Sequence, residues 1–424
     1  SSGKTVTLAS GASQSGFGRT GTVDWCTTAK TAPLTVASGN GYFINTTSGS
    51  ITVTLPASPS AGDIVAFKDY ANTWDTNSVT LARNGSKING ECNNATLNTE
   101  SQSVTLIYVD GTKGWQDIHD STSDVTGATF ITATGGTVTT CGNFKIHTFT
   151  SGSTFTVCSV GNPAGSTTVD YLVIAGGGAG GTDRGGGGGA GGFRFNLTGC
   201  SGYPAFSLNA GASIPVSVTS YPITVGSGGA AAPDRTTASG SGTNSVFSTI
   251  TSTGGGGGDN DGAPPALSGG SGGGGADTRP GGTGNTPPVS PVQGFPGGSS
   301  VNGSGGGGGG GATAAGATQS SAPPSIGGTG GAGGGLPSAF GANGQLCGSY
   351  RYYSGGGSGG GGASPGTGGV GGGGPGGIGP AGNGTSGTTN TGGGGGGGGT
   401  WPVNNSIRGG NGGSGIVVIR YKFQ

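Results

Sequence analysis

Glycine in bulk is hard to fold, because it loses more backbone freedom on ordering than any other residue and brings no side chain to a core. Of the 110 glycines in this chain of 424 residues, 20 fall in residues 1–170 and 90 in residues 171–424. They come as about ten nearly pure runs, among them 176–181, 185–192, 254–258, 305–311, 371–374 and 392–399. Between the runs lie longer inserts such as "DNDGAPPALS" and "LPSAFGANGQLCGSYRYYS". The grammar of the chain changes near Tyr171, and each side is read by itself.

Glycine and proline together make up about 31 % of the residues, which by default reads as a flexible low-complexity linker. Two features argue against a linker. Matched apolar strands, "YLVIA" from Tyr171 and "GIVVIRY" from Gly415, bracket the region as if to pair and close one domain, and the runs recur at similar length. Collagen would need glycine at every third position, which solid runs do not supply. What remains is glycine in a left-handed polyproline II-type helix of three residues per turn, with no internal hydrogen bonds. Lacking side chains, such helices can bond laterally and satisfy their backbones in a lattice. Runs of six to eight residues give rods of roughly 20–25 Å. Because ordering glycine is costly, the strand brackets, the cysteines or a partner chain are expected to stabilise the block.

The stretch "YLVIAGGGAGG" also satisfies G-x-G-x-x-G at Gly176, Gly178 and Gly181. A dinucleotide site needs a helix after those glycines and an acid some twenty residues on. Here "TDRGGGGGAGGFR" follows, which cannot hold a helix, and "FRFNLTG" offers no acid. The match is incidental.

Residues 1–125 are written in strands. "SITVTLPAS" alternates Ile51, Val53 and Leu55 with threonines, the period of a half-buried strand. "DIVAFKDY", "SVTLARNGSKI" and "SVTLIYVDGTKGWQDI" follow, each bounded by turn residues, with Asp110-Gly111 marking a hairpin. This predicts an all-β module, a small sandwich or one protomer's share of an intertwined β structure. Residues 126–170 read as a linking hairpin in which "NFKIHTF" and "TFTVCSV" would bring Phe149 near Phe155 and Ile146 near Cys158. The expected fold is therefore an all-β module (1–125), a linking hairpin (126–170) and a domain of packed polyglycine helices bracketed by strands (171–424), with essentially no α-helix.

Sixteen Lys and Arg balance sixteen Asp and Glu, which argues against nucleic acid or an anionic membrane as partner. No apolar run reaches the length that spans a bilayer. The sequence holds no methionine and is expected to begin downstream of a start codon. Six cysteines (Cys26, Cys92, Cys141, Cys158, Cys200, Cys347) lack C-x-x-C spacing; three disulfides and six free thiols both remain open.

Chemistry is thinly represented. His119 and His147 stand far apart, without metal-ligand spacing. His119 in "DIHDSTSD", near Asp117, Asp120 and Asp124, reads as a solvated loop. Asp259-Asn260-Asp261-Gly262 begins like a calcium loop but lacks its spacing and terminal Glu. A glycan-degrading pair of carboxylates would have to come from Asp63, Asp69, Asp75, Glu91 and Glu100. No catalytic residue, metal or cofactor is expected. Binding reads better: Tyr350, Arg351, Tyr352 and Tyr353 concentrate interface-type residues on one insert, and Trp401 in "TWPVNN" is similar. Packing or cation–π pairing against the glycine block is the competing account of these side chains. N-x-[ST] sequons such as those at Asn45, Asn94, Asn196 and Asn383 read as accidents of an Asn/Ser/Thr-rich surface.

The ordered set "FKIHTFTSGSTFTV", "YLVIAGGGAGG…GGGGGAGGFR", "YPITVGSGG", "SVFSTITSTGGGGG", "QGFPGG", "NTGGGGGGGG" and "GGSGIVVIRYKF" resembles the glycine-rich domain of tail-fibre proteins and distal adhesins of tailed bacteriophages, marine and cyanobacterial ones especially. "GYFINTTSGSITVTLPASPSAGDIVAFKDY" resembles a β module of such phages' structural proteins. The resemblance implies a virion-surface, extracellular location and a homotrimeric fibre with other tail proteins as partners. It also implies a packed polyglycine block whose end loops bind a bacterial cell-surface receptor, a glycan or an outer-membrane protein. No tail-attachment segment is identifiable. A capsid-decoration or extracellular filament subunit is the alternative, and a glycan-degrading fibre a third.

Overall fold

The structure, a computed structural model, describes residues 23–120, 128–262, 265–320, 326–380, 382–399 and 407–424. It divides into two compact units, residues 1–129 with 162–164, and residues 130–161 with 165–424. Strands dominate; the described residues contain two short 3-10 turns, Phe206–Leu208 and Ser338–Phe340, and no α-helix.

In the first unit the chain alternates between two sheets. Asp24–Lys30, Asn40–Ile44 and Ile64–Asp69 pair in parallel in one, and Leu34–Thr35, Ile51–Thr54 and Val79–Ala82 pair in parallel in the other. A parallel neighbour needs a crossover, and here each crossover is a strand of the opposite sheet, so the chain winds as short coils. Antiparallel strands then close each sheet: Ser103–Tyr108 with Trp115–Asp120, and Ala95–Leu97. Period-2 alternation sends Tyr42, Ile44, Val53, Val65, Phe67, Leu81, Val104 and Leu106 into one core with Trp74 and Trp115.

The second unit is built on a six-stranded sheet in the order Thr137–Cys141, Phe144–Phe149, Ile416–Lys422, Thr168–Ile174, Phe193–Asn196, with Ile214–Pro215 added beside Thr168–Ile174. The two bracket strands pair antiparallel, from Asp170 opposite Arg420 to Ile174 opposite Ile416. Both faces of this sheet are covered. Tyr171, Val173, Val417 and Ile419 face a core shared with a five-stranded sheet, while Leu172, Ile174, Ile416 and Val418 face a second core with Phe193, Phe195 and Leu336. Burial on both faces explains why these strands are continuously apolar rather than alternating.

The expected linking hairpin does not form. Phe144–Phe149 pairs with Thr137–Cys141 and Ile416–Lys422, whereas Ser153–Ser159 pairs with Thr132–Thr134 and Ser220–Thr224. The turn at 150–152 thus passes the chain from one sheet to the other, and these strands belong to the body of the second unit.

From the sheet the bracket strands run straight into the glycine segments, and the segments bond as the three-residue helix requires. Along 176–181, successive N–H groups donate to three different neighbours in rotation. Gly176 and Ala179 donate to Thr243 and Gly240, Gly177 and Gly180 to Gly413 and Gly410, Gly178 and Gly181 to Gly189 and Gly186. Segment 185–192 is enclosed on all sides. It donates to 253–259, 307–310 and 392–398, and accepts from 175–181, 271–274 and 357–360, a hexagonal packing in which backbone replaces side chains as the core. A Cβ on Gly188 would sit 2.1 Å from Gly178 O, and one on Gly187 2.1 Å from Gly357 O, so only glycine fits there. Segments outside the pure runs also join. Ala317 bonds Gly308 and Thr329, and Thr385 bonds Pro375 and Gly396. The lattice is therefore larger than the glycine runs alone suggest.

Candidate functional site

The direction of each glycine segment follows from its bonding partners. Segment 175–181 leaves the sheet at Ile174 and 185–192 returns to it at Phe193, so the turn 182–184 lies at the far end of the lattice. Asp259 accepts from Gly186 and Thr253 from Gly192; Gly274 donates to Gly187 and Ser271 to Ala190; Gly360 donates to Gly185 and Gly357 to Gly188. These registers carry the turns after 259, 275 and 360 to the same far end. By the same logic 231–238, which follows 229 and precedes 240, and 299–304, which precedes 305–311, also end there. Loops of unrelated sequence thus converge on one face of the lattice, opposite the sheets.

Four of these loops are tied by charge. Asp261 accepts from Arg184 and lies 3.3 Å from Arg235, whose Nε is 3.6 Å from Asp183; Arg279 is 2.9 Å from Asp259. Asp183, Asp259 and Asp261 are buried and the three guanidinium groups are partly exposed, so three carboxylates are matched by three arginines. The Asp259 carboxylate also accepts from the Ala276 N–H at 3.0 Å, and burial still pushes its pKa up to about 6. Asn260 joins the loops through neutral bonds, accepting from Thr182 N–H and Ser239 hydroxyl. The turns are strained as well. Asp183 and Arg184, and likewise Asp277 and Thr278, have φ of 42°, 51°, 46° and 64°, a left-handed conformation that surroundings must enforce in residues other than glycine. A cavity of about 410 Å³ opens among Asp234, Arg235, Thr236, Asp261 and Gly262. Asp234 itself caps its turn through Thr236 and Thr237, bonds that hold its carboxyl below the usual range.

The family enters with this geometry. A glycine-rich domain model matches residues 148–422. The chain belongs to the glycine-rich domain family. The match begins in the strand Phe144–Phe149 and ends at the last residue of Ile416–Lys422, two strands that pair inside the six-stranded sheet. No curated protein matches the chain.

Within this glycine-rich domain the structure relocates the aromatic insert. Tyr350–Tyr353 is the central strand of a small sheet with Gly334–Leu336 and Gln345–Cys347, and it packs with Phe193, Ile174 and Ile416 at the sheet end of the lattice. Tyr353 is 1 % exposed and its hydroxyl donates to Asn343 O at 2.9 Å; burial raises its pKa. It is a core residue and cannot meet a receptor. Tyr352 is half-buried with its ring over Gly335, Arg351 reaches Gly344 O, and Tyr350 rests on the same core. Trp401 lies outside the described residues.

The remaining chemical candidates stay apart. His119 is exposed opposite Thr105, and Asp69 is buried, accepting from the backbone of Trp74 and Ser101. Asp259 and Asp261 are committed to arginines, and among the described residues no group of three or more His, Cys, Asp or Glu could hold a metal. The sequence marks Asp183-Arg184 and Asp277–Arg279 as charged inserts, but their pairing into a cluster was not legible beforehand because its members come from four loops up to 96 residues apart, Asp183 to Arg279. The one available signal was a run of charge at loop centres in a chain only 8 % charged.

Proposed function

We propose that this chain is a subunit of a bacteriophage tail fibre or distal adhesin, displayed on the virion surface and assembled as a homotrimer with other tail proteins. It attaches the particle to a bacterial receptor, a glycan or an outer-membrane protein, through the loops at the far end of the glycine lattice. The observation that carries this reading is the convergence of unlike loops on one face of a block held mainly by backbone bonds. Such a block holds loop positions without depending on loop sequence, which suits recognition. The ion-pair cluster, the strained turns and the cavity support it as features of a prepared surface.

The test is adsorption. Exposed residues of two of these loops that take no part in the ion pairs are replaced in the full chain, Ala238→Lys in one variant and Thr278→Lys in the other, and binding of the purified protein to host cells is measured beside its calorimetric unfolding. Loss of binding with unchanged unfolding supports the proposal. Retained binding by both variants places recognition elsewhere, and loss of a native assembly mass instead favours a filament subunit.

A further inference from the structure

The first unit carries a row of aromatic side chains on the solvent face of its five-stranded sheet. Trp25 and Phe43 come from adjacent parallel strands and Tyr70 follows the third. Ring centroids are 5.0 Å apart from Trp25 to Phe43 and 6.5 Å from Phe43 to Tyr70. Trp25 is 42 % and Tyr70 56 % exposed. The indole lies flat on Gly41: a Cβ there would sit 2.7 Å from both its Cδ2 and its Cε3. One ring face is thus seated on the strand and the other is open. The inward neighbours Tyr42, Ile44 and Phe67 already fill the core, so packing gives these three rings no reason to be aromatic.

We infer that this row is a carbohydrate-binding platform for a neutral stretch of polysaccharide lying across the strands. The negative face of an aromatic ring attracts the polarised C–H groups of a sugar's flat side; Phe43 is tilted 38° from Trp25 and Tyr70 stands edge-on to Phe43 at 77°, so the open indole face is the stacking place and Tyr70 flanks it. A protein partner fits less well. Three rings, each partly exposed, present on the order of 300 Å², whereas a stable protein interface takes about 800 Å² from each side. An anionic glycan fits less well too, because Lys68, opposite Phe43 and reaching Ser101 O at 2.5 Å, is the one cation paired with the row, and a single charge gives a polyanion little to hold. The site lies in residues 25–70, outside the glycine-rich match, and does not depend on the function proposed above.

The full chain is applied to an array of neutral and acidic short hexose oligosaccharides, with Trp25→Ala and Tyr70→Ala variants beside it. The expected result is retention of neutral oligosaccharides, weakened about thirtyfold in Trp25→Ala and less in Tyr70→Ala, with unfolding of both unchanged. Absence of binding to every neutral oligosaccharide, or binding indifferent to both substitutions, overturns the inference. So does a native mass that falls in either variant, which would make the row an interface between copies. If Trp25→Ala does not fold, Tyr70→Ala decides, since Tyr70 stands at a strand end with most of its ring in solvent.

Discussion

Gly188→Ala puts the backbone lattice to a direct test. Gly188 sits in the enclosed segment, donating to Gly395 O at 2.7 Å and accepting from Gly357 N–H at 2.9 Å. A methyl group there would lie 2.1 Å from Gly178 O, against the roughly 3.0 Å that real Cβ atoms keep, so the two segments must part by about 0.9 Å. The obstacle is backbone, and no rotamer change relieves it. Overpacking of this kind costs about 1–3 kcal/mol. Parting the segments also stretches the neighbouring Gly178 N–H to Gly189 O bond of 2.8 Å, and an orphaned buried polar group adds about 1–3 kcal/mol. Reduced freedom of the unfolded chain returns at most about 1 kcal/mol. The net loss is about 3 kcal/mol, about 5 °C in unfolding temperature for a unit of this size. Scanning calorimetry reads it, with Gly152→Ala as control: a Cβ at Gly152 meets nothing closer than Ile223 O at 3.7 Å, and no shift is expected. If Gly188→Ala unfolds with the control, segment 185–192 is not enclosed and the lattice reasoning fails.

Three further outcomes follow from the same geometry. Tyr353→Ala should destabilise by about 3–5 kcal/mol, and Tyr352→Ala by clearly less, in denaturant titration; equal effects would contradict the burial of Tyr353. His147, whose Nδ1–H donates to Gly135 O and whose Nε2 accepts from Tyr421, has its pKa held below 6.5 by burial. The unfolded chain therefore takes up a proton first, and its contribution is lost as pH falls from 6.5 toward the folded value. Asp259 works in the opposite sense. Its folded pKa of about 6 exceeds 3.8, so its contribution grows as pH falls from about 6 to 3.8. His147→Gln should flatten the acid-side loss of unfolding temperature, and Asp259→Asn should steepen it; the reverse pair of results would refute both assignments. All six cysteines are free, with Cys92, Cys141, Cys158 and Cys347 exposed. A thiol titration should find four fast groups in the native chain and six after denaturation, and fewer than six without reductant would show a disulfide.

Much of the second unit was readable because glycine runs and strand brackets are local signals. "YLVIA" and "GIVVIRY" announce buried strands by composition alone, and their mutual pairing follows once the intervening region is taken as one domain. The pairing of Phe149 with Val417 was not readable. Its partners are 268 positions apart, while a nearer strand offered an ordinary hairpin. At the tyrosine insert the same limit applies to Tyr353: Tyr and Arg enrich interfaces and cores alike, and only the sheet formed with Gly334–Leu336 and Gln345–Cys347 puts Tyr353 in the core while Tyr350, Arg351 and Tyr352 stay partly exposed. In the first unit, alternation predicted strands correctly but left their winding between two sheets undetermined, since period-2 patterning is the same in a sandwich and in a coil.

The lattice also explains how so few apolar residues hold a large unit. Conventional cores tie stability to side-chain identity, so a loop change that shifts an element is felt in packing. Here the apolar cores are confined to the sheet end, where Ile174, Phe193 and Ile416 anchor the first segments, and beyond them each segment is positioned chiefly by bonds between N–H and C=O, helped by a few buried hydroxyls such as Ser239, Ser271 and Ser358. A loop at the far end can then change sequence or length, provided its two ends keep the spacing of neighbouring segments. The ion-pair cluster marks the limit of that freedom: Asp183, Arg184, Arg235, Asp261, Asp259 and Arg279 must change together or not at all, because removing one partner leaves a buried charge unmatched. Loops outside the cluster, such as 362–365 with Ala363 exposed, hold no charged residue and carry no such constraint. Variation among close relatives of this chain should therefore fall there first, while the charged loops vary as a set.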